Sequence, residues 1–426
     1  MRIHVLADSD TRWKWGAGLA TGFCPQGEVH AHMLRGRSTP TARQMAEVGI
    51  TPASITETTL PEFVTSPEVA DADVIVLGTV GGATQAALHG LAHAFRDYPQ
   101  RPVLVTGYVG VVYEKVTDGL LLRAGADIVL ANSPYDTRRF RGIYEPLGIP
   151  GGSVVQTALP FLEQRPYDMN RAGAEHPYTV CFAVQPSVPE DRKSRTYLLR
   201  RAIQHARLRP GRDVLIKLRS RPGEQTTHIE AYHYQDLAEQ MSEPMPPNLH
   251  FVYGNMSDTL DRTDLMITVS STAALESMHR GMPTGILSDL GVREAHGNHY
   301  FVGSGCVTSW DDVDQGEAPL AHEAWKRDQG ILADDPYGEL RSRIDVLLRA
   351  PALPPITPYY TRANASGYMP TLLARRGLNP DGSPARGEGA TGGSGSARRT
   401  SRRVMRSAYQ FGVQRVAPKL QRWGDV

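Results

Sequence analysis

Short apolar runs rich in β-branched residues alternate along the chain with longer stretches in which apolar residues recur every three or four positions. The runs are typical of strands buried on both faces of a parallel sheet, and the stretches are typical of amphipathic helices. In the first part of the chain, strands are predicted at residues 2–7, 72–78, 102–106 and 127–131. Because a helix is predicted after each strand, the pattern indicates a doubly wound α/β domain.

The same alternation starts again near the middle of the chain, after a segment with several Pro and Gly residues and little periodicity. Strands are predicted here at residues 178–185, 213–218, 249–253, 265–269 and 284–287. The sequence therefore predicts an α/β protein with two Rossmann-like domains. Its predicted boundaries are 1–160 for the first domain, 161–177 for a linker, 178–350 for the second domain and 351–376 for a closing segment.

The end of the chain has a different composition. Residues 377–397 are rich in Gly and Ser, so a flexible or disordered linker is predicted there. Residues 398–426 are strongly basic and carry apolar residues at steps of three or four. Two interpretations stay open for this tail: a basic amphipathic helix on an anionic membrane surface, or a solvated, partly helical segment.

Composition narrows the class of protein further. The 426 residues suffice for two domains and a tail, and a formal net charge of +1 gives no field that would attract nucleic acid. The three cysteines are widely spaced, which argues against a disulfide framework or a zinc site. Since no apolar run resembles a signal peptide or a membrane span, we expect a cytoplasmic protein, at most peripheral to the inner face of the membrane.

The clearest candidate binding motif begins at residue 270. A predicted strand runs into Ser270, Ser271 and Thr272, a helix with Glu276 in its first turns follows, and 281–283 (Gly-Met-Pro) ends that helix. Hydroxyls and N–H groups at the start of a helix favour an anion, and Glu276 is placed to face a ribose or sugar hydroxyl. The alternative is an ordinary βαβ unit whose serines only cap the helix.

Charged residues also follow other predicted strands. Asp8, Asp10 and Lys14 come after the first strand, and Lys217 and Arg219 stand at the end of a strand in the second half. Ligands of doubly wound sheets gather at the carboxyl ends of the strands, so these side chains are predicted to line a crevice. Lys217 and Arg219, at the carboxyl end of their strand, would bind a phosphate or diphosphate. The alternatives are that either aspartate only caps a helix and that the cations are solvated.

The order Ser-Ser-Thr, Glu276 and Gly-x-Pro resembles the donor-binding segment of GT-B glycosyltransferases, above all the bacterial capsule and sialic-acid-type transferases. The whole chain resembles an actinobacterial family of glycosyltransferases of this type. The resemblance implies a GT-B-like fold, in which two Rossmann-like domains face a cleft. It also implies a nucleotide-sugar as substrate, a glycan or lipid-linked acceptor, and no cofactor.

The resemblance assigns roles to further residues. Gln185, in a Gln-Pro pair after the first strand of the second half, would lie in the loop that reaches the donor phosphates. Residues 107–115 would face the cleft near the acceptor, among them Gly107, Tyr108 and Glu114. Lys14 would lie on the same acceptor side, and Gly81 would let the backbone approach a ligand closely there.

One departure concerns the donor nucleotide. Capsule-type transferases carry Lys-x-His-Pro where this chain has Lys217, Leu218, Arg219 and Ser220, so the His-Pro pair is missing. This difference leaves the identity of the nucleotide open.

The predicted reaction is sugar transfer to a hydroxyl acceptor, with inversion expected from a single displacement. Asp8 or Asp10 would act as general base, and no DxD motif follows a strand, so metal-independent chemistry is expected. Two alternatives are a sugar-nucleotide 2-epimerase and a non-catalytic scaffold that binds a nucleotide or glycan. An oxidoreductase is disfavoured because neither half has the GxGxxG fingerprint.

Overall fold

The computed structural model describes residues 1–36, 39–40, 44–45, 48–112, 116–162, 166–171, 176–219, 221–222 and 230–385. Within these residues, the strands form two separate parallel sheets. The predicted tail at 398–426 lies outside the described residues, as does most of the predicted linker at 377–397.

The first domain is built on a seven-stranded sheet with the order β3-β2-β1-β4-β5-β6-β7. Its strands are β1 Arg2–Ala7, β2 Glu28–Leu34, β3 Ser54–Thr58, β4 Val74–Gly78, β5 Val103–Gly107, β6 Ile128–Ala131 and β7 Val154–Gln156. Its helices are α1 Asp10–Phe23, α2 Leu60–Thr65, α3 Pro67–Ala70, α4 Gly81–Ala94, α5 Val116–Leu121 and α6 Pro134–Tyr144.

The second domain is built on a six-stranded sheet with the order β10-β9-β8-β11-β12-β13. Its strands are β8 Tyr178–Ala183, β9 Arg212–Lys217, β10 Leu249–Val252, β11 Leu265–Thr268, β12 Thr284–Leu287 and β13 Val307–Thr308. The helices from here to the end of the described chain are α7 Arg192–Leu208, α8 Tyr234–Glu239, α9 Met256–Leu260, α10 Ala273–His279, α11 Trp310–Gln315, α12 Glu323–Asp328, α13 Gly338–Arg349 and α14 Met369–Arg375.

The two-domain α/β fold predicted from the sequence is confirmed. Strand order reverses between β1 and β4 in the first sheet and between β8 and β11 in the second. Such a reversal leaves a crevice at the carboxyl ends of the two central strands, because their crossover helices lie on opposite faces of the sheet. The fold therefore offers one potential ligand site at each sheet.

Apolar residues cover both faces of both sheets, which explains why the predicted strands read as continuous apolar runs. The sequence analysis did not identify β2, β3, β7 and β13. Strands β7 and β13 contain only three and two residues, and β2 carries the buried His32 in place of an aliphatic side chain.

Helix α13 falls within the predicted second domain of residues 178–350, but the resemblance to GT-B proteins also implies that 337–375 could cross back to the first domain. Its buried residues Leu340 and Ile344 belong to the apolar cluster that contains Ile3 and Val5 of β1. The chain thus returns from the second domain to the first before residue 338. No helix in the described part of the chain is long and apolar enough to cross a membrane.

Candidate active site

A cavity of about 480 Å³ lies between residues that follow the strands of the first sheet and residues that follow the strands of the second. Its volume falls within the range of small-molecule sites in proteins. All seven predicted donor-side residues line it: Gln185, Lys217, Arg219, Ser270, Ser271, Thr272 and Glu276. Asp10 and Lys14 line it from the first domain.

Gln185 joins the two central strands of the second sheet at their carboxyl ends. Its side-chain oxygen accepts hydrogen bonds from the backbone N–H of Ser270 at 3.0 Å and from the hydroxyl of Ser270 at 3.3 Å. Because these two donors use the amide oxygen, the amide nitrogen is the group of Gln185 that can donate to a ligand. The predicted contact between Gln185 and donor phosphates is therefore chemically possible.

The backbone after β11 offers fewer N–H groups than the sequence suggested. Ser271 donates its N–H to Thr268 Oγ1 at 3.1 Å, and Ala273 donates its N–H to Ser271 Oγ at 3.3 Å. Helix α10 has only seven residues. Protein side chains already accept from most of this turn, so a phosphate site made from the helix N-terminus alone is not supported.

Two cations supply positive charge on the second-domain wall instead. Lys217 is 8% exposed at the end of β9, and its Nζ donates to the carbonyl of Leu218 at 2.9 Å. Arg219 is exposed and reaches across to the first domain, where its Nη2 lies 3.3 Å from Oδ1 of Asp10. The same nitrogen donates to the hydroxyl of Thr11.

The first turns of α1 form the facing wall. Lys14 comes four positions after Asp10, so the two side chains lie on one face of the helix, and both line the cavity. The ammonium of Lys14 lies 6.0 Å from the ring centroid of Phe161. The wall therefore carries one carboxylate and one ammonium group.

The structure distinguishes the two candidate bases. Asp8 does not line the cavity, because its Oδ1 accepts from Arg12 Nη1 at 3.1 Å and its Oδ2 accepts from the N–H of Val80 at 3.0 Å. These bonds tie the loop after β1 to the loop after β4. Asp10 is the aspartate that faces the cavity, and Asp8 supports the backbone beneath it.

Three predicted acceptor-side residues do not reach the cavity, and the prediction for them is corrected. A Cβ on Gly107 would lie 2.9 Å from Cβ of Leu130, and a Cβ on Gly81 would lie 2.8 Å from Cδ1 of Leu122. These glycines allow close packing inside the domain. Tyr108 is held within the domain, with its ring 4.1 Å from Arg123 Cζ. Glu114 lies outside the described residues.

Several residues of the cavity were not predicted from the sequence, among them Thr11 and Asn255. Gly110 lies against the second domain, since a Cβ there would be 3.2 Å from Cγ2 of Thr272. Asn255 follows β10 and caps α9, accepting from the N–H of Ser257 at 3.2 Å. A polar residue after a strand was the available signal for Asn255, whereas Gly110 belongs to the segment 107–115 that the resemblance places at the cleft.

Arg195, on α7, holds the loop after β8 in place from behind. Its Nη1 donates to the carbonyls of Gln185 and Pro186, each at 3.0 Å, and to that of Pro189 at 3.3 Å. Its other terminal nitrogen pairs with Glu230. The wall formed by this loop is thus fixed by a buried guanidinium that does not itself line the cavity.

Two doubly wound domains that meet at one cavity define a GT-B-like fold. A family model described as "Putative glycosyltransferase (DUF6716)" matches residues 3–347. Because the match covers most of the chain, the protein belongs to this family. No curated protein sequence matches it.

Solved structures of sugar-nucleotide enzymes share the fold at low sequence identity. They include a "putative UDP-N-acetylglucosamine 2-epimerase" from Listeria monocytogenes (12% identity, 82% of this chain and 95% of that chain, TM-score 0.51). The structure of S. aureus MnaA with UDP matches at 11% identity over 81% of this chain and 95% of that chain, with a TM-score of 0.51. A UDP-GlcNAc 2-epimerase from Methanocaldococcus jannaschii, in complex with UDP-GlcNAc and UDP, matches at 10% identity over 82% of this chain and 98% of that chain, with a TM-score of 0.51. At these identities the likeness shows the fold alone.

Proposed function

We propose that this protein transfers a sugar from a nucleotide-activated donor to a hydroxyl group of a glycan or lipid-linked acceptor. The observation that carries the proposal is the shared cavity. Cations and hydroxyls of the second domain line it on one side, and the carboxylate of Asp10 lines it on the other. Membership of a family described as glycosyltransferases agrees with this reaction class.

In the proposed reaction, the acceptor oxygen attacks the anomeric carbon of the donor sugar and the bond to the diphosphate breaks. Asp10 takes the proton of the acceptor hydroxyl. Lys217 and Arg219 stabilise the negative charge that develops on the leaving diphosphate. One displacement of this kind inverts the anomeric centre. We propose metal-independent chemistry because two protein cations are available for the diphosphate.

Donor recognition is assigned to the second domain. The amide nitrogen of Gln185 and the hydroxyls of Ser271 and Thr272 are proposed to donate to donor phosphates, and Glu276 to accept from a ribose or sugar hydroxyl. Structural neighbours solved with UDP or UDP-GlcNAc support a nucleotide-sugar as the ligand class. The proposed membrane contact of residues 398–426 concerns a segment outside the described residues.

A second candidate is a sugar-nucleotide 2-epimerase, because the structural neighbours at TM-score 0.51 include enzymes of that name. An epimerase removes and returns a proton at the sugar, and it needs no acceptor. Among the described residues, the ionisable groups of the cavity are Asp10, Lys14, Lys217, Arg219 and Glu276, and no histidine lines it. This set offers fewer proton carriers than we expect for epimerisation.

The test is a thermal-shift screen of the full chain with UDP, GDP, CMP and dTDP, followed by incubation with the matching nucleotide-sugars. A nucleotide at a hundredfold excess over its dissociation constant should stabilise the protein by about 2.7 kcal/mol. We expect one nucleotide to stabilise the wild type and to have little effect on the double variant Lys217→Met, Arg219→Gln.

The matched control is Arg207→Gln, which removes a surface arginine paired with Glu243 on the outside of the second domain. It should retain the nucleotide response. Transfer to an added acceptor supports a glycosyltransferase, whereas an epimer formed from the donor alone supports the second candidate. If the double variant responds like the wild type, the proposed donor site is wrong.

A further inference from the structure

One ion pair spans the cavity between the two domains. Arg219 belongs to the loop after β9, whereas Asp10 and Thr11 begin α1 on the opposite wall. Arg219 Nη2 lies 3.3 Å from Asp10 Oδ1, and it also donates to the hydroxyl of Thr11. The side chains of Arg219 and Asp10 are 32% and 33% exposed, so a ligand in the cavity can reach both.

The two other cations near Asp10 are directed to different partners. Arg12 is directed to Asp8 at 3.1 Å, and Lys14 lies over the ring of Phe161. In the described part of the chain, Arg219 is thus the cation that forms an ion pair with Asp10. The proposed base and the proposed phosphate ligand are partners of each other.

We infer that Arg219 is shared between Asp10 and the phosphates of the nucleotide, so that nucleotide binding releases the Asp10 carboxylate. A guanidinium forms its strongest contacts with two parallel N–H bonds to one phosphate or carboxylate. A diphosphate carries more charge than one carboxylate and therefore competes well for Arg219. This inference rests on the proposed function, and it adds a coupling between the two walls of the site.

The coupling has a functional consequence for the order of events. Oδ1 of Asp10 faces Arg219, so that oxygen is already engaged in the ion pair. Once the donor phosphates have taken Arg219, the same oxygen is available to the hydroxyl of an incoming acceptor. Water or an acceptor that enters before the donor meets a carboxylate that is still paired with Arg219.

The test is a double-mutant cycle on nucleotide affinity. Dissociation constants of UDP and inorganic pyrophosphate are measured by calorimetry for the wild type, Asp10→Asn, Arg219→Gln and the double variant. Surface and half-exposed ion pairs are worth roughly 0.2–1 kcal/mol, so Asp10→Asn should bind UDP about 1.4- to fivefold more tightly than the wild type. In the Arg219→Gln background, the same change should have no effect on affinity.

Four results would overturn the inference. Equal tightening in both backgrounds would mean that Asp10 only repels the phosphates. Weaker binding by Asp10→Asn would mean that Asp10 holds Arg219 in place for the phosphate. Failure of the wild type to bind UDP and pyrophosphate would refute the coupling together with this donor site, whereas unchanged affinity in Asp10→Asn would refute the coupling alone. Asp118→Asn, which removes an exposed carboxylate of the first domain outside the cavity, controls for net charge and should leave UDP affinity unchanged.

Discussion

At the scale of single residues, the second domain depends on a guanidinium that is almost fully buried. Arg195 is 1% exposed, donates to three backbone carbonyls and packs over the ring of Tyr234 at 4.4 Å. Its partner Glu230 is also shielded, and this burial raises the pKa of the Glu230 carboxyl. Removing one member leaves the other charge without compensation.

We therefore expect Arg195→Met to lower the free energy of unfolding by about 3–5 kcal/mol, as is typical when one partner of a buried ion pair is lost. Urea unfolding followed by circular dichroism measures the change. The double variant Arg195→Met, Glu230→Leu should recover part of the loss, since no unpaired charge stays buried. A single variant as stable as the wild type would contradict this account.

A second buried carboxyl lies in the first domain. Asp136 is 5% exposed in the first turn of α6, and its Oδ1 has no hydrogen-bond partner among the described residues. Burial raises the pKa of its carboxyl to about 6. Because this pKa is higher in the folded than in the unfolded chain, the carboxyl stabilises the fold below pH 4, and this contribution is lost as the pH rises through 6.

Replacement of Asp136 by Asn should thus stabilise the protein at pH 8, by about 2 kcal/mol after allowance for the favourable helix-terminus position of the carboxylate. The gain should shrink below pH 5, where the wild-type carboxyl takes up its proton. Urea titrations at pH 4.5 and pH 8 measure both values. Asp118→Asn, an exposed site on α5, should change little, and a destabilised Asp136→Asn at pH 8 would refute the prediction.

At the scale of elements, β1 and β2 are joined by a polar contact inside the first domain. His4 Nδ1 lies 2.8 Å from His32 Nε2, and the two rings stack at a centroid distance of 5.0 Å. Burial lowers the pKa of His4 to about 3 and that of His32 to about 4. Both imidazoles are therefore neutral in the folded protein at neutral pH.

These lowered pKa values determine how the stability of the fold changes with pH. The unfolded chain takes up protons on these histidines below pH 6.5, whereas the folded chain resists until about pH 4, so stability falls with decreasing pH in this window. Each histidine contributes about 1.4 kcal/mol per pH unit. Urea unfolding between pH 7 and pH 4.5 should show a steeper loss for the wild type than for His4→Leu, His32→Leu.

The matched control for this experiment is His322→Gln, an exposed histidine bonded to the carbonyl of Gly303. Its pH profile should follow that of the wild type. If the double leucine variant loses stability as steeply as the wild type, carboxylates elsewhere in the chain account for the slope.

The first sheet shows which kinds of strand can be predicted from the sequence. Runs such as ADVIVLG, which contains β4, and DIVLA, which contains β6, were found because buried parallel strands need continuous apolar side chains. Strand β2 escaped because its buried positions include His32, a polar residue that is satisfied by a partner on the neighbouring strand. Such a partner becomes visible only when the two strands are paired.

At the scale of the whole molecule, the sequence identified the second-domain wall of the cavity more completely than the first-domain wall. Lys217 ends β9, and Arg219 and Ser270 come soon after strands of the same parallel sheet, so topology alone brings them to one edge. On the first domain, Gly107 ends β5 and Tyr108 follows it, yet both pack inside the domain. The direction of a side chain in an irregular loop depends on packing that no local pattern encodes.

The architecture also depends on a helix that is far away in sequence. Leu340 of α13 is fully buried against the first sheet, whereas Val346 on the same helix is 61% exposed. Leu340→Ala should lower the free energy of unfolding by about 2–5 kcal/mol, the usual range for a truncated core leucine. Urea unfolding measures it, with Val346→Ala as the control within about 0.5 kcal/mol of the wild type. Equal stabilities for both variants would argue against the packing of α13 on the first domain.

Because the chain returns to its first domain, that domain is completed late during synthesis on the ribosome. The strands of the first sheet are complete at Gln156, but Leu340, Ile344, Met369 and Leu373, which cover its faces, are made only after the entire second sheet. At translation rates of 5–20 residues per second, the interval from β7 to the end of α13 lasts about 10–40 s. During that time the nascent first domain presents uncovered apolar surface while the second domain can already fold. Protection of the emerging chain by chaperones is therefore most needed in the middle of translation, and a chain that stops before α13 leaves the first domain without its cover.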